Sequence, residues 1–143
     1  MYQYPARFER DRRSGAYTVT FPDFDWGVTQ GDDLEDAMFM ARDVLKILLE
    51  DCIERRTALP RPSKRGRGYR TVSLPASEEA KVVLYAALRK AGLRNADLAR
   101  RLRQPVAHVD RLLDLRRRSK MDEIEAALGA LGKSISIEVR SAA

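Results

Sequence analysis

The side chains able to do chemistry are few in this 143-residue chain, and their types exclude more than they permit. There is one histidine, His108, and one cysteine, Cys52. Zinc sites of the usual Cys/His kind, and Ser-His-Asp or Cys-His machinery, need partners that such a chain lacks. A single thiol also rules out an intramolecular disulfide. Cys52 falls at an apolar position of a predicted helix, which makes packing its expected role. Asp23, Asp25 and Asp32 are carboxylates of the kind that two-metal hydrolysis uses on Mg²⁺, but they stand at turns that favour Asp in any case. An enzyme is therefore the weakest reading, and neither a metal nor another cofactor is expected. Gly66 and Gly68 lie among Arg65, Arg67 and Arg70 with no apolar strand in front, unlike a phosphate-binding loop.

What remains is recognition of a polyanion. In residues 95–113, NADLARRLRQPVAHVDRLL, Leu98, Ala99 and Leu102 recur at helical spacing and Arg103 and Gln104 leave room for a short bend. Pro105 suits the first turn of a second helix, where a missing N–H costs nothing, and Val109, Leu112 and Leu113 then face a core. This spacing predicts a helix-turn-helix. Val106, Ala107, His108, Asp110 and Arg111 are the side chains such a second helix offers to base edges, with Arg100, Arg116, Arg117 and Arg118 as phosphate contacts. A solvated helix face and a helix-end charge cluster account for the same residues without DNA.

These side chains must be positioned by ordinary cores, for which a hydrophobic content of 44% suffices; a net charge of +6 favours a polyanionic partner. The charge is unevenly spread. Lys and Arg number 8 against 12 Asp and Glu in residues 1–59, 5 against 0 in residues 60–71, and 14 against 9 in residues 72–143. An acidic front and a basic back suggest two modules with different partners. No secretory signal opens the chain and no apolar run approaches the ~18 residues that span a bilayer, so a cytoplasmic protein is expected.

Along the acidic part, residues 2–8 read as a strand in which Pro5 predicts an edge position. Ser14-Gly15 supplies a turn, Tyr17, Val19 and Phe21 share a face of a second strand, and a brief third strand lies near residues 27–30. Gly31-Asp32-Asp33 opens a long helix with Leu34, Met38, Ala41, Leu45, Leu48 and Cys52 inward and no breaker before Leu59-Pro60. On its other side stand Asp36, Asp43, Glu50 and Glu54 with Arg42 and Lys46 among them, either a solvated face or a docking surface for a basic protein. Residues 60–68 read as an exposed connector and residues 69–74 as a fourth strand that returns to the hairpin.

The basic part opens at Ser77-Glu78-Glu79 with a helix that buries Ala80, Val83, Leu84, Ala87 and Leu88. After residues 95–113 comes a last helix carrying Met121, Ile124, Ala127, Leu128 and Leu131, then a short C-terminal strand in which Ile135, Ile137 and Val139 alternate with polar residues. An unpaired apolar strand is a liability, so this one either returns to the N-terminal sheet or pairs with its copy in a second subunit, giving a homodimer. Residues 1–75 and 76–143 are the expected domains, and the fold class is α+β.

The chain resembles HicB antitoxins. Tyr4-Pro5-Ala6, Gly15 to Asp23 (GAYTVTFPD), the Gly27 to Asp32 turn and the Leu34 to Ala37 helix start match the family's N-terminal pattern. Residues 77–131 resemble a lambda-repressor-like helix-turn-helix, with Asp97 to Leu102 as its L-A-x-x-L helix and Arg103 where glycine is usual. The resemblance implies a truncated ribonuclease H-like N-terminal fold without catalytic carboxylates. It implies binding of HicA, a small basic mRNA-cleaving ribonuclease, with Asp36, Asp43 and Glu50 as contact candidates, and repression of the chain's own operon through double-stranded operator DNA. A stand-alone regulator with a ligand-sensing N-terminal domain is the alternative.

Overall fold

The structure is a computed structural model and describes residues 1–142; Ala143, the last residue of the expected second domain, lies outside the described residues. Its elements are β1 (Tyr4–Arg10), β2 (Tyr17–Thr20), β3 (Val28–Gly31), α1 (Leu34–Arg55), β4 (Tyr69–Val72), α2 (Ala76–Lys90), α3 (Asn95–Leu102), α4 (Val106–Leu112) and α5 (Met121–Ala130). The strands form one antiparallel sheet in the order β3-β2-β1-β4, and the chain is α+β.

Strand β1 is thus internal, not at the edge that Pro5 predicts. The reason is local: β2 pairs with residues 7–10 of β1, and Pro5 lies in the stretch that pairs with β4 alone, opposite Thr71. A residue without an N–H is tolerated where one side of the strand is open. Tyr4, Ala6, Phe8, Val19 and Val72 are buried against Ala37, Ala41, Leu45, Leu48 and Leu49 of α1. The helix lies so close to β3 that side chains are missing at two positions. A methyl on Gly31 would fall on the backbone of Ala37, and one on Gly27 would meet the Leu48 side chain.

Helix α1 is capped reciprocally. The Asp33 carboxylate accepts from the Asp36 N–H at 2.8 Å, and the Asp36 carboxylate accepts from the Asp32 N–H at 2.9 Å. The helix stops at Arg55 rather than running on to Leu59, because Arg56 turns left-handed with φ 58° and its N–H closes on Cys52 and Ile53. Its buried side also differs from the predicted one: Ala37 and Leu49 are fully covered, whereas Leu34, Met38 and Cys52 lie at the margin.

A second core gathers Leu84, Tyr85, Leu88, Leu98, Ala99, Val109, Leu112, Leu113, Ile124, Ala127 and Leu128, and Ile53 and Leu59 pack against both cores. Helix α2 serves both. Val82 belongs to the sheet core and Leu84, Tyr85 and Leu88 to the other, so the single stripe predicted for α2 is too narrow. The helix begins at Ala76 with Pro75 as its N-cap residue, which puts Ser77 inside the first turn instead of at the cap. Residues 133–142 form no strand, contrary to expectation, and Ile137 and Val139 are 82% and 92% exposed. A strand needs a ladder partner, and neither edge of the sheet supplies one to this segment within a single chain.

Candidate functional site

Helices α3 and α4 are joined by residues 103–105. Arg103 takes the left-handed conformation, φ 55°, and the Gln104 N–H reaches back to Ala99 O at 3.0 Å, which ends α3 tightly enough for Pro105 to start α4. Val109 and Leu112 face the core. Opposite them stand Ala107 and Arg111, one turn apart and exposed, with Val106 44% exposed beside them. The outer face of α4 therefore presents Val106, Ala107, Asp110 and Arg111 to solvent, and of the five side chains the spacing assigns to this face only His108 is turned away from it.

The other sequence-selected residues are engaged to different degrees. His108 is turned inward, its side chain 14% exposed and Nδ1 3.6 Å from Glu123 on α5. Asp110 accepts from the Asn95 side-chain amide at 2.7 Å. Arg100 donates to Asp97 at 2.7 Å. Arg116 holds Asp114 at 3.0 Å and approaches Glu54 of α1 at 3.6 Å; Arg117 lies 3.8 Å from Asp114, and Arg118 is exposed. Asp114 is held below the ordinary carboxylate range: burial opposes ionisation, but the Arg116 hydrogen bonds and the charges of Arg116 and Arg117 outweigh it.

One residue that sequence reasoning missed fixes the end of α4. Lys81 of α2 is 2% exposed, and its ammonium donates to Arg111 O at 2.8 Å, Asp114 O at 3.0 Å and Ser119 Oγ at 2.8 Å. These carbonyls belong to the last turn of α4 and the loop after it, where backbone acceptors lack helical partners and the dipole is negative. Burial pushes the Lys81 ammonium below its ordinary range, opposed by Asp114 and Glu123. Three donated bonds hold the arginine-bearing loop against α2.

On the acidic side, the three contact candidates are not equivalent. Asp36 is engaged in the cap of α1. Glu50 is half-buried; burial raises its carboxyl, partly offset by Lys46 and Arg116. Asp43 is exposed. Two apolar residues not selected from sequence share this side: Phe39 is 61% and Ile47 50% exposed. Their signal was present, since both fall outside the inward stripe, but a helix otherwise rich in charge hid it.

Between α1 and α4 lies an open cleft of about 240 Å³ lined by Glu50, Glu54, Arg56, Asn95, Asp110 and Arg116 among others. Asn95 Oδ1 is buried there without a hydrogen-bond partner. Asp23 does not join a carboxylate cluster; it accepts from the Ser63 N–H at 2.9 Å and ties down the connector. Among the described residues no three His, Cys, Asp or Glu side chains are grouped to hold a metal ion, and no helix is long and apolar enough to cross a membrane.

Comparison with known proteins gives consistent descriptions. Residues 3–83 match a family described as a HicB-like antitoxin of bacterial toxin–antitoxin systems. "Antitoxin HicB 2" of Photorhabdus laumondii is 37% identical over 135 residues, 94% of this chain and 94% of that protein. "Antitoxin HicB" of Escherichia coli K12 is 32% identical over 86% of this chain and 89% of its own length. A toxin–antitoxin complex from Streptococcus pneumoniae aligns with 54% of this chain and 71% of the matched chain, at 31% identity and a TM-score of 0.45. These relatives are named as antitoxins, not as enzymes.

Proposed function

We propose, from the premise that this chain belongs to the HicB family of antitoxins, that it binds and neutralises a HicA-type mRNA-cleaving ribonuclease and represses its own operon by binding operator DNA. The observation that carries this is the extent of the likeness: a named antitoxin matches the chain nearly end to end, so the basic half has a counterpart in an antitoxin as well as the acidic half.

In this reading residues 1–75, a truncated ribonuclease H-like unit, grip the toxin through the acidic side of α1, with Asp36, Asp43 and Glu50 toward it. Opposite charge speeds such an encounter and fixes its register. Residues 76–143 are the DNA-binding and dimerisation half, with α3 and α4 as a lambda-repressor-like helix-turn-helix. Val106, Ala107 and Arg111 meet base edges, His108 and Asp110 flank them, and Arg100, Arg116, Arg117 and Arg118 meet phosphates. A homodimer reads the two halves of a palindrome, and the segment carrying Ile135 and the exposed Ile137 and Val139 pairs across its axis. Both targets are cytoplasmic.

Co-expression with the toxin tests the first part: growth arrest is relieved and the two proteins co-purify in a fixed ratio. Gel shifts on the chain's own promoter test the second. Arg111→Ala reduces preference for the operator over unrelated DNA, whereas neutralising Arg117 and Arg118 weakens binding to all DNA and lowers the salt slope. Unchanged shifts for both variants sink the DNA assignment and leave the toxin assignment standing.

A further inference from the structure

We infer that the outward ridge of α1 made by Phe39, Asp43 and Ile47 is the anchor of the toxin interface, and that it fits a basic protein surface carrying apolar contacts. The inference rests on the antitoxin reading and specifies the surface that performs it. At about 100° per residue, Phe39, Asp43 and Ile47 fall on the side of α1 opposite Ala37, Ala41, Leu45 and Leu48, which are buried on the sheet. They form a line about 12 Å long at 1.5 Å per residue, with two half-exposed apolar side chains separated by an exposed carboxylate.

A single exposed apolar residue is ordinary on a protein surface. Two on one line of a solvent-facing helix, neither contributing to a core, are the pattern of side chains kept for a partner. The surroundings select that partner by charge. Asp36, Asp43, Glu50 and Glu54 share this side with two bases, Arg42 and Lys46, in a segment where acids outnumber bases by 12 to 8. Nucleic acid and anionic lipid are repelled by such a face. A second copy meeting it isologously would set the same carboxylates against each other. A basic protein satisfies both the charge and the apolar contacts, with Phe39 and Ile47 as the buried anchors and the acids as the polar rim. The acidic triad read from sequence is therefore redistributed: Asp36 is committed to the helix cap, Asp43 sits between the anchors, and Glu50 lies at the end of the face nearest Arg116.

The test uses the full chain and a catalytically inactive HicA-type toxin, with affinity measured by calorimetry. Phe39→Ser and Ile47→Ser each weaken binding at least about tenfold, and Asp43→Lys weakens it comparably while flattening its salt dependence. Melting temperatures stay at the wild-type value because both apolar residues are exposed, and Glu9→Lys, on the far side of the sheet, binds normally. If the wild type binds and the Phe39→Ser/Ile47→Ser double variant binds within about twofold of it, the ridge is refuted and the antitoxin reading survives. If the wild type fails to bind the toxin, both fall. Variants that turn a dimer into a monomer at unchanged toxin affinity would assign the ridge to a second copy and overturn the inference.

Discussion

Replacing Lys81 by Met keeps the length and apolar stem of the side chain and removes the ammonium. Three donated hydrogen bonds disappear, and the carbonyls of Arg111 and Asp114 and the hydroxyl of Ser119 stay where they are. Hydrogen bonds from a charged donor contribute about 1.5–3 kcal/mol each; the relief of no longer burying an ammonium offsets part of the sum, leaving a net loss of about 3 kcal/mol. For a chain of this length that lowers the melting temperature by roughly 10 °C. Urea unfolding at neutral pH should show a lower midpoint with the slope unchanged. The pH dependence gives an independent check. Because the folded-state pKa of Lys81 is lowered from 10.5, the folded chain binds fewer protons than the unfolded chain as pH approaches that value from below. The stability of wild type relative to Lys81→Met therefore rises with pH through the window beneath 10.5, and is constant at lower pH where both states are protonated. A Lys81→Met variant matching the wild type to within about 0.5 kcal/mol at neutral pH would refute this account, since the loop would then be held by something else.

Other substitutions probe the remaining claims. Gly31→Ala drives a methyl into the Ala37 backbone and costs about 3 kcal/mol or prevents folding; a melting curve coincident with wild type would contradict the close approach of β3 and α1. Arg103→Gly relieves a left-handed residue between α3 and α4 and raises stability by about 0.5–1 kcal/mol, checked by urea midpoint. Glu54→Gln removes one of the two carboxylates beside Arg116, and non-specific DNA affinity measured by anisotropy at low salt increases by roughly twofold, the modest effect of an exposed pair.

Where a signal was local, the sequence was readable. The Asp33 cap, the Ser14-Gly15 turn, the short bend after Leu102 and the order of four strands and five helices follow from residues adjacent in the chain. Long-range partners were not. A lysine inside an amphipathic helix is normally solvent-facing, so Lys81 gave no sign of its distant acceptors, and Tyr85, whose hydroxyl donates to Thr57 O at 2.6 Å, reaches across to the turn after α1 in the same hidden way. The inward side of α1 was misjudged because glycines at 27 and 31 let Ala37 and Leu48 approach β3, a geometry that periodicity alone does not encode. The C-terminal alternation has the pattern of a strand, but pairing is a property of two segments, and the described chain brings no second segment to it.

The sheet core does not end where the connector ends. Val82 and Leu115 complete it from beyond residue 75, while Ile53 and Leu59 reach out of the first half into the second core. Pulling the chain from its C-terminal end would strip Leu115 from the sheet soon after α5 was lost, and cutting it at residue 75 would leave an apolar scar under α1. The two halves thus share one lifetime: damage that opens the second core also loosens the sheet core beneath α1, so neither half outlasts the other.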